Sequence, residues 1–367
     1  MLTSRRAVLG AGAALAAGCA TAPATQSPVL VEAMAGKAVP GMAAITVRNF
    51  RVGAEEVAGV RRFGTDDAVR PGDRWHLGSD GKAITATMIA RLVEAGVLSW
   101  DARLDQLLPQ LAETMHAEYR DVTLPDLLSH RSGLPENVGG GDLTFFNTFY
   151  DDPAPLTQQR LRYITAGLQE PPAAAKRSDQ SYSNTGYLVA AAAAERASGR
   201  SYERLMRDEV FGPLRLRSVS MSHYGGRGEP VGHVDNRVAD QPRDANPPMF
   251  TPPGGVRMSM ADWARFGVEH MRGERGEGVL LRAETYRFLH TPQGETAAAL
   301  GWGVQERAVG HDGRALVHAG SDGNWYALIA LFPDQGAGAF TAANAGESMG
   351  GDAAAVTALR ALAATLG

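Results

Sequence analysis

Cysteine and lysine are nearly missing from this chain. Of its 367 residues one is cysteine, Cys19, so no intrachain disulfide can form and the body of the protein offers no thiol for catalysis. Lysine occurs only at Lys37, Lys82 and Lys176, which leaves 33 arginines among the 36 basic residues. No long basic run accompanies the net charge of -4, so the electrostatic footprint of a nucleic-acid binder is absent. His-Glu-x-x-His, cysteine clusters and a phosphate-binding glycine loop are missing too, and the expectation is no metal and no nucleotide cofactor. The sequence is still 44% hydrophobic, enough for a large core, and its length suits two structural units or one domain with a large insertion.

The first 28 residues, MLTSRRAVLGAGAALAAGCATAPATQSP, read as an export signal and linker. Their Gly/Ala-rich stretch is too short and too weakly apolar for a membrane span. SRRAVL resembles a twin-arginine signal, and AAGC resembles a lipoprotein processing site that would attach the chain to a membrane through Cys19. Ala20-Thr21-Ala22 fits ordinary cleavage instead. Both routes lead out of the cytoplasm, to a periplasmic or secreted protein.

Beyond the signal, a helix is expected near 29–36 and a strand pair over 39–50 and 54–64. Ile84, Met88, Ile89, Leu92 and Val93 recur at helical spacing before Gly96, which puts Ser79 at a helix N-terminus. Residues 100–295 read as mainly helical, with helices at 122–131, 156–168, 184–198, 202–211 and 259–273. Two long irregular stretches, 136–153 and 222–255, interrupt them and suit the walls of a binding site. From 298 onward four strand-like segments with short Gly/Asp turns precede a final helix at 352–366. The expected units are 1–28, 29–99, 100–295 and 296–367.

GSDG occurs twice, in HLGSDGKA (76–83) and HAGSDGNW (318–325). In the first copy Ser79 and Lys82 are three apart and share a helix face. A lysine can take the serine's proton only when uncharged, so its ordinary pKa of about 10.4 must fall by several units through burial. In a chain this poor in lysine, a merely solvated charge would have been arginine, which cannot act as a base. Ser79–Lys82 is the only Ser-x-x-Lys, and Tyr182-Ser183-Asn184 the only Tyr-x-Asn. A tyrosine hydroxyl beside a lysine can relay protons and an asparagine amide can orient a carbonyl, although Asn184 equally suits the N-cap of the helix that follows. His-x-Gly occurs four times, at His76, His223, His311 and His318; only His318 ends a β-rich run and precedes another strand.

WHLGSDGK, LLSHRSGLP (127–135), YSNTGY, PPGGVRMS (252–259) and HAGSDGN together resemble the serine β-lactamase-related family, which includes class C β-lactamases, D-alanyl-D-alanine peptidases and family VIII esterases. The resemblance covers roughly 30–366. It implies an α/β fold, with an antiparallel sheet completed by both termini and flanked by helices, and a mostly helical inserted region. It also implies Ser79 as nucleophile, Lys82 and Tyr182 as acid/base pair, and Asn184, His318, Gly320 and Ser321 as substrate-binding residues, with the Ser79 and Ser321 amides as oxyanion hole. The function implied is an exported serine hydrolase acting on a small ester, peptide or β-lactam. His318, where the β-lactamases carry lysine, tilts the expectation toward an esterase or D-amino-acid peptidase, with a β-lactamase as alternative and an inactive relative binding peptidoglycan or a protein as a rival of another class. Two departures, KRSDQ (176–180) before Tyr182 and Pro213-Leu214-Arg215-Leu216, bear on loop geometry. Arg257 is a candidate to restore the charge lost at 318, His130 is expected to brace a turn below the site, and Trp302 and Trp325 to pack.

Overall fold

The computed structural model describes residues 26–221, 228–241 and 243–366. The signal up to Thr25, which includes Cys19, and part of the 222–255 stretch lie outside them.

The chain enters through a short helix, α1 (Pro28–Met34), and turns into β1 (Gly41–Arg48), flanked by β2 (Arg51–Val52) and β3 (Glu56–Gly59). A three-residue strand, β4 (Arg74–His76), leads into a 3-10 turn at Gly78–Asp80 and then helix α2 (Gly81–Glu94). The region that follows contains α3 (Leu156–Gln169), α4 (Asn184–Ser198), the small strands β5 (His233–Val234), β6 (Arg237–Val238) and β7 (Arg257–Ser259), and helix α5 (Met260–Gly273). Strands β8 (Gly303–Ala308), β9 (His311–Ser321), β10 (Tyr326–Phe332) and β11 (Ala337–Ala343) precede the closing helix α6 (Gly351–Ala363).

The main sheet has the order β2-β1-β11-β10-β9-β8, with β3 also on β1. Every pairing is antiparallel, and Met42 opposite Ala343 joins the first long strand to the last. Alternation along β1 divides the interior into two layers. Ala43, Ile45 and Val47 face the large core shared with α2 and the helical region, whereas Met42 and Ala44 face α1 and α6. Strand β11, AGAFTAA, is buried at every position; its alanines leave room for α6 to approach closely on one side. The short β4–β7 pair, unmarked by any periodicity, anchors the turn that carries Ser79.

Candidate active site

Two glycines bring the GSDG copies together. Gly78, at φ +51°, lies so close to β9 that a Cβ would stand 2.3 Å from the Ser321 nitrogen. A Cβ on Gly320 would reach 1.9 Å from the Leu77 carbonyl and 2.8 Å from the Ser79 nitrogen. Only glycine permits that contact, and it sets the main chain of Ser321 beside that of Ser79. The Ser321 hydroxyl turns away to accept a bond from the Gly323 N–H.

Ser79 occupies the 3-10 turn just ahead of α2, so the side chain of Lys82 rises from the helix's first turn toward it. Lys82 is completely buried. Its Nζ lies 3.0 Å from Ser79 Oγ, 2.7 Å from Asn184 Oδ1 and 2.9 Å from the Pro253 carbonyl. The Tyr182 hydroxyl donates to Ser79 Oγ at 2.7 Å. Burial lowers Lys82 well below the ordinary lysine range, against the pull of Glu136 and Asp80. Burial also pushes Tyr182 up to about 12, so it holds its proton at neutral pH.

These shifts sort the two groups. With Lys82 as an amine, its two N–H bonds go to Asn184 and Pro253, its lone pair takes the Ser79 hydroxyl, and Tyr182 donates to Oγ. Every donor of the three side chains is then used. Such a lysine can accept the serine proton, and such a tyrosine can give one to a departing group.

The family to which this geometry belongs is given by comparison. A family profile described as Beta-lactamase matches residues 28–364. This chain is a member of the beta-lactamase family. Penicillin-binding protein 4 of Amycolatopsis lactamdurans is 30% identical over 322 residues, covering 80% of this chain and 77% of that protein. The D-alanyl-D-alanine-carboxypeptidase/endopeptidase AmpH of Escherichia coli K12 is 25% identical over 327 residues, 83% of this chain and 79% of its own. Two solved structures share the fold: an octameric penicillin-binding protein homologue from Pyrococcus abyssi, with a TM-score of 0.74 at 22% identity over 91% of this chain and 75% of that one, and a D-stereospecific amidohydrolase from Streptomyces sp., with a TM-score of 0.71 at 20% identity over 89% and 96%. The family profile spans nearly every residue placed around Ser79, from β1 to α6.

Within this beta-lactamase-family site the expected residues are not all placed as the sequence suggests. The N-cap of α4 is Ser183, whose hydroxyl accepts from the Gly186 N–H at 3.0 Å; Asn184 begins the helix and is free to face Lys82. His318 lies on β9 opposite Ile329 with its side chain 11% exposed, and desolvation first, then repulsion from Lys82, lowers it to about 3, which keeps it neutral at pH 7. His311 sits at the other end of β9, bonded to Gln335. Arg257 is wholly buried on β7, engaged with Glu229 and the carbonyls of Arg74 and Pro230 and lying over the Trp325 ring, which makes it a packing cation of the interior. His130 has φ +61°, accepts the Ser183 N–H at 3.0 Å and stacks on Tyr182 with centroids 4.4 Å apart. It therefore fixes the tyrosine ring.

Three participants went unread in the sequence. The Pro253 carbonyl holds Lys82, Asn137 accepts from Asn184 Nδ2 at 3.2 Å, and Asp80 lies buried next to Ser79. The first arrives from the one-turn helix at Thr251–Gly254 and the second from a distant loop. Asp80 stood inside the quoted motif, and its acidity in an otherwise dry turn was the available signal.

Proposed function

We propose that this chain is an exported serine hydrolase that cleaves an ester or amide through an acyl-enzyme on Ser79, with esters and D-amino-acid peptides preferred to β-lactams. Ser79 Oγ attacks the carbonyl carbon while its proton passes to the Lys82 amine. The oxyanion is held by the Ser79 and Ser321 N–H groups, a kind of contact worth about 3 kcal/mol per donor in the transition state. The proton then reaches the leaving oxygen or nitrogen through Tyr182, and water repeats the sequence on the acyl-enzyme to release the acid.

The observation that carries the substrate preference is the neutral His318 on the strand beside the nucleophile. Arg257 is committed elsewhere, so neither residue offers a cation to a substrate carboxylate. A cavity of about 220 Å³ beside Asn184 supports the same reading: Val138, Leu143, Phe146 and Phe250 line it with Asn137 and Asp322, and no lysine or arginine does so among the described residues. It suits an aliphatic or aromatic acyl group. The peptidase branch draws its support from relatives named as a D-alanyl-D-alanine carboxypeptidase and a D-stereospecific amidohydrolase.

Initial rates of the purified mature protein on a short-chain p-nitrophenyl ester, a D-amino-acid p-nitroanilide and a chromogenic cephalosporin, with Ser79→Ala as blank, test this reading. Ester or anilide turnover that disappears in the blank is expected. Cephalosporin hydrolysis faster than both would make the chain a β-lactamase, and no turnover together with no labelling by a serine-directed phosphonate would favour the inactive binding protein. Export through the Arg5-Arg6 signal and lipid attachment at Cys19 belong to the same proposal: fractionation should find the full chain with membranes and the Cys19→Ala variant in the soluble periplasm.

A further inference from the structure

Asp80 follows Ser79 directly, and its surroundings have no place for a charge. Its side chain is 1% exposed, and neither carboxyl oxygen has a hydrogen-bond partner among the described residues. The backbone of β9 closes over it, for a Cβ on Gly320 would stand 2.5 Å from Oδ2. From the same strand His318 Nδ1 lies 4.0 Å from Oδ1, and that nitrogen is already 2.9 Å from the Ala319 carbonyl, which takes its proton. Lys82, two residues on and pointing away from it around the helix, makes its polar contacts to Ser79, Asn184 and Pro253 instead. Tyr326 from β10 and Tyr182 from the helical region are the other titratable groups that feel Asp80, and both are neutral phenols. The turn at Thr251–Gly254 packs on the nucleophile turn and carries no ionisable side chain.

A carboxylate with so little donor support in a dry site escapes its desolvation cost by keeping a proton, and burial pushes Asp80 well above the ordinary carboxylate range, against the pull of Lys82 and of its own backbone N–H. The consequence falls on Lys82. An ionised Asp80 favours the ammonium and so works against the amine that catalysis needs.

We propose that Asp80 is a positioning residue that works as an uncharged carboxylic acid behind the nucleophile, holding the charge beside Lys82 at zero so that an amine faces Ser79. The proton count is simple. An ammonium–carboxylate pair and an amine–carboxylic acid pair contain the same protons, and moving one from Nζ to a carboxyl oxygen converts the first into the second. Losing that proton at higher pH places a negative charge one residue from the Ser79 N–H, where it opposes the developing oxyanion. The proposal rests on Ser79 and Lys82 acting as nucleophile and base.

Two measurements test it. In protein labelled with ¹³C at the aspartate carboxyls, one resonance should keep its protonated shift at pH 7, persist in Ser79→Ala and vanish in Asp80→Asn. Aspartates that all titrate below pH 5 overturn the proposal, and because this needs no turnover, its failure is distinct from failure of the hydrolase reading. In the pH profile of kcat/KM, Asp80→Asn should leave the acidic limb in place and displace the alkaline limb upward by at least one pH unit. An acidic limb displaced downward by a unit shows that Asp80 was ionised all along, and an unmoved alkaline limb shows that it does not titrate there; either result overturns the proposal. Should Asp80→Asn fail to fold, the labelled native protein decides alone.

Discussion

In the proposed mechanism Lys82 concentrates the chemistry of the site in one buried side chain. Its three polar contacts and the two phenol rings beside it, Tyr182 at 4.7 Å and Tyr187 at 5.4 Å from Nζ, fix its position, so replacing it by Met keeps the packing and removes the base. We expect Lys82→Met to lose roughly 10²- to 10⁴-fold in kcat/KM, the usual range for a general base, with an unchanged circular dichroism spectrum. Lys82→Arg should be no better, since a guanidinium does not deprotonate; an acylation burst surviving in either variant would refute the assignment. The pH dependence has a definite sign. Only the amine is competent, so kcat/KM falls as pH drops through the lowered value of Lys82. At position 318 the expectation runs the other way. His318→Lys puts a cation where the neutral imidazole stands, and it should raise the ratio of cephalosporin to ester turnover by about tenfold, the equivalent of about 1.4 kcal/mol. An unchanged ratio would mean that charge on this strand does not select the substrate.

Among the elements, the contact between the nucleophile turn and β9 is the least tolerant. Gly320→Ala places a methyl carbon 1.9 Å from the Leu77 carbonyl and 2.8 Å from the Ser79 nitrogen, which only a backbone shift can relieve. Overpacking of this kind costs about 1–3 kcal/mol, and the shift separates the two amides proposed to hold the oxyanion. A fall in kcat/KM of at least 100-fold with only a modest loss of thermal stability is expected; the reverse pattern would mark Gly320 as structural alone. Much of this arrangement was legible in the sequence, because the 3.6-residue spacing after Lys82 and the strand–turn pattern after 298 are local signals. Two rare spacings, Ser-x-x-Lys and Tyr-x-Asn, mark Ser79, Lys82 and Tyr182 at the starts of helices, and the packing of α2 against α4 brings them together. What escaped was non-local. Strands β4 and β7 have three residues each, too few for a period, and they exist because they pair with each other. The alanine-rich β11, by contrast, was legible from its place in the strand–turn run after 298, and its weak strand propensity is offset by pairing with β1 and β10. Pro253, in the one-turn helix at Thr251–Gly254, and Asn137, in a loop, reach the site along paths that no spacing records.

At the scale of the whole molecule, burial that suits catalysis also sets how the protein meets acid. His76 and His318 are lowered to about 3 by burial, and His130, His233, His270 and His290 are lowered as well, with desolvation the largest cause in each. In the unfolded chain all of them titrate near the ordinary value of about 6.5. Below that pH the unfolded state therefore binds more protons than the folded one, and stability falls as pH falls. Asp121, Asp240 and Asp244, held low by their basic partners, act in the same direction further into acid. Glu55, raised to about 7, and Asp80 oppose them, since their protonated folded forms lose stability as pH rises through the unfolded carboxylate value. The histidines outnumber the raised acids, so the net sign above pH 5 is set by imidazole. One pH unit below its unfolded value each buried neutral histidine contributes up to about 1.4 kcal/mol of destabilisation, and in a chain of this size each kcal/mol moves Tm by about 2–4 °C. Thermal unfolding should thus show Tm dropping steadily from pH 7 to pH 5, by on the order of 10 °C, with His76→Asn, a smaller side chain that does not titrate, lowering Tm at pH 7 yet flattening the slope. A Tm independent of pH over that interval would mean that the imidazoles take up protons without unfolding the chain, and that the dry interior around Ser79 is wetter than the packing of β9 on the nucleophile turn implies.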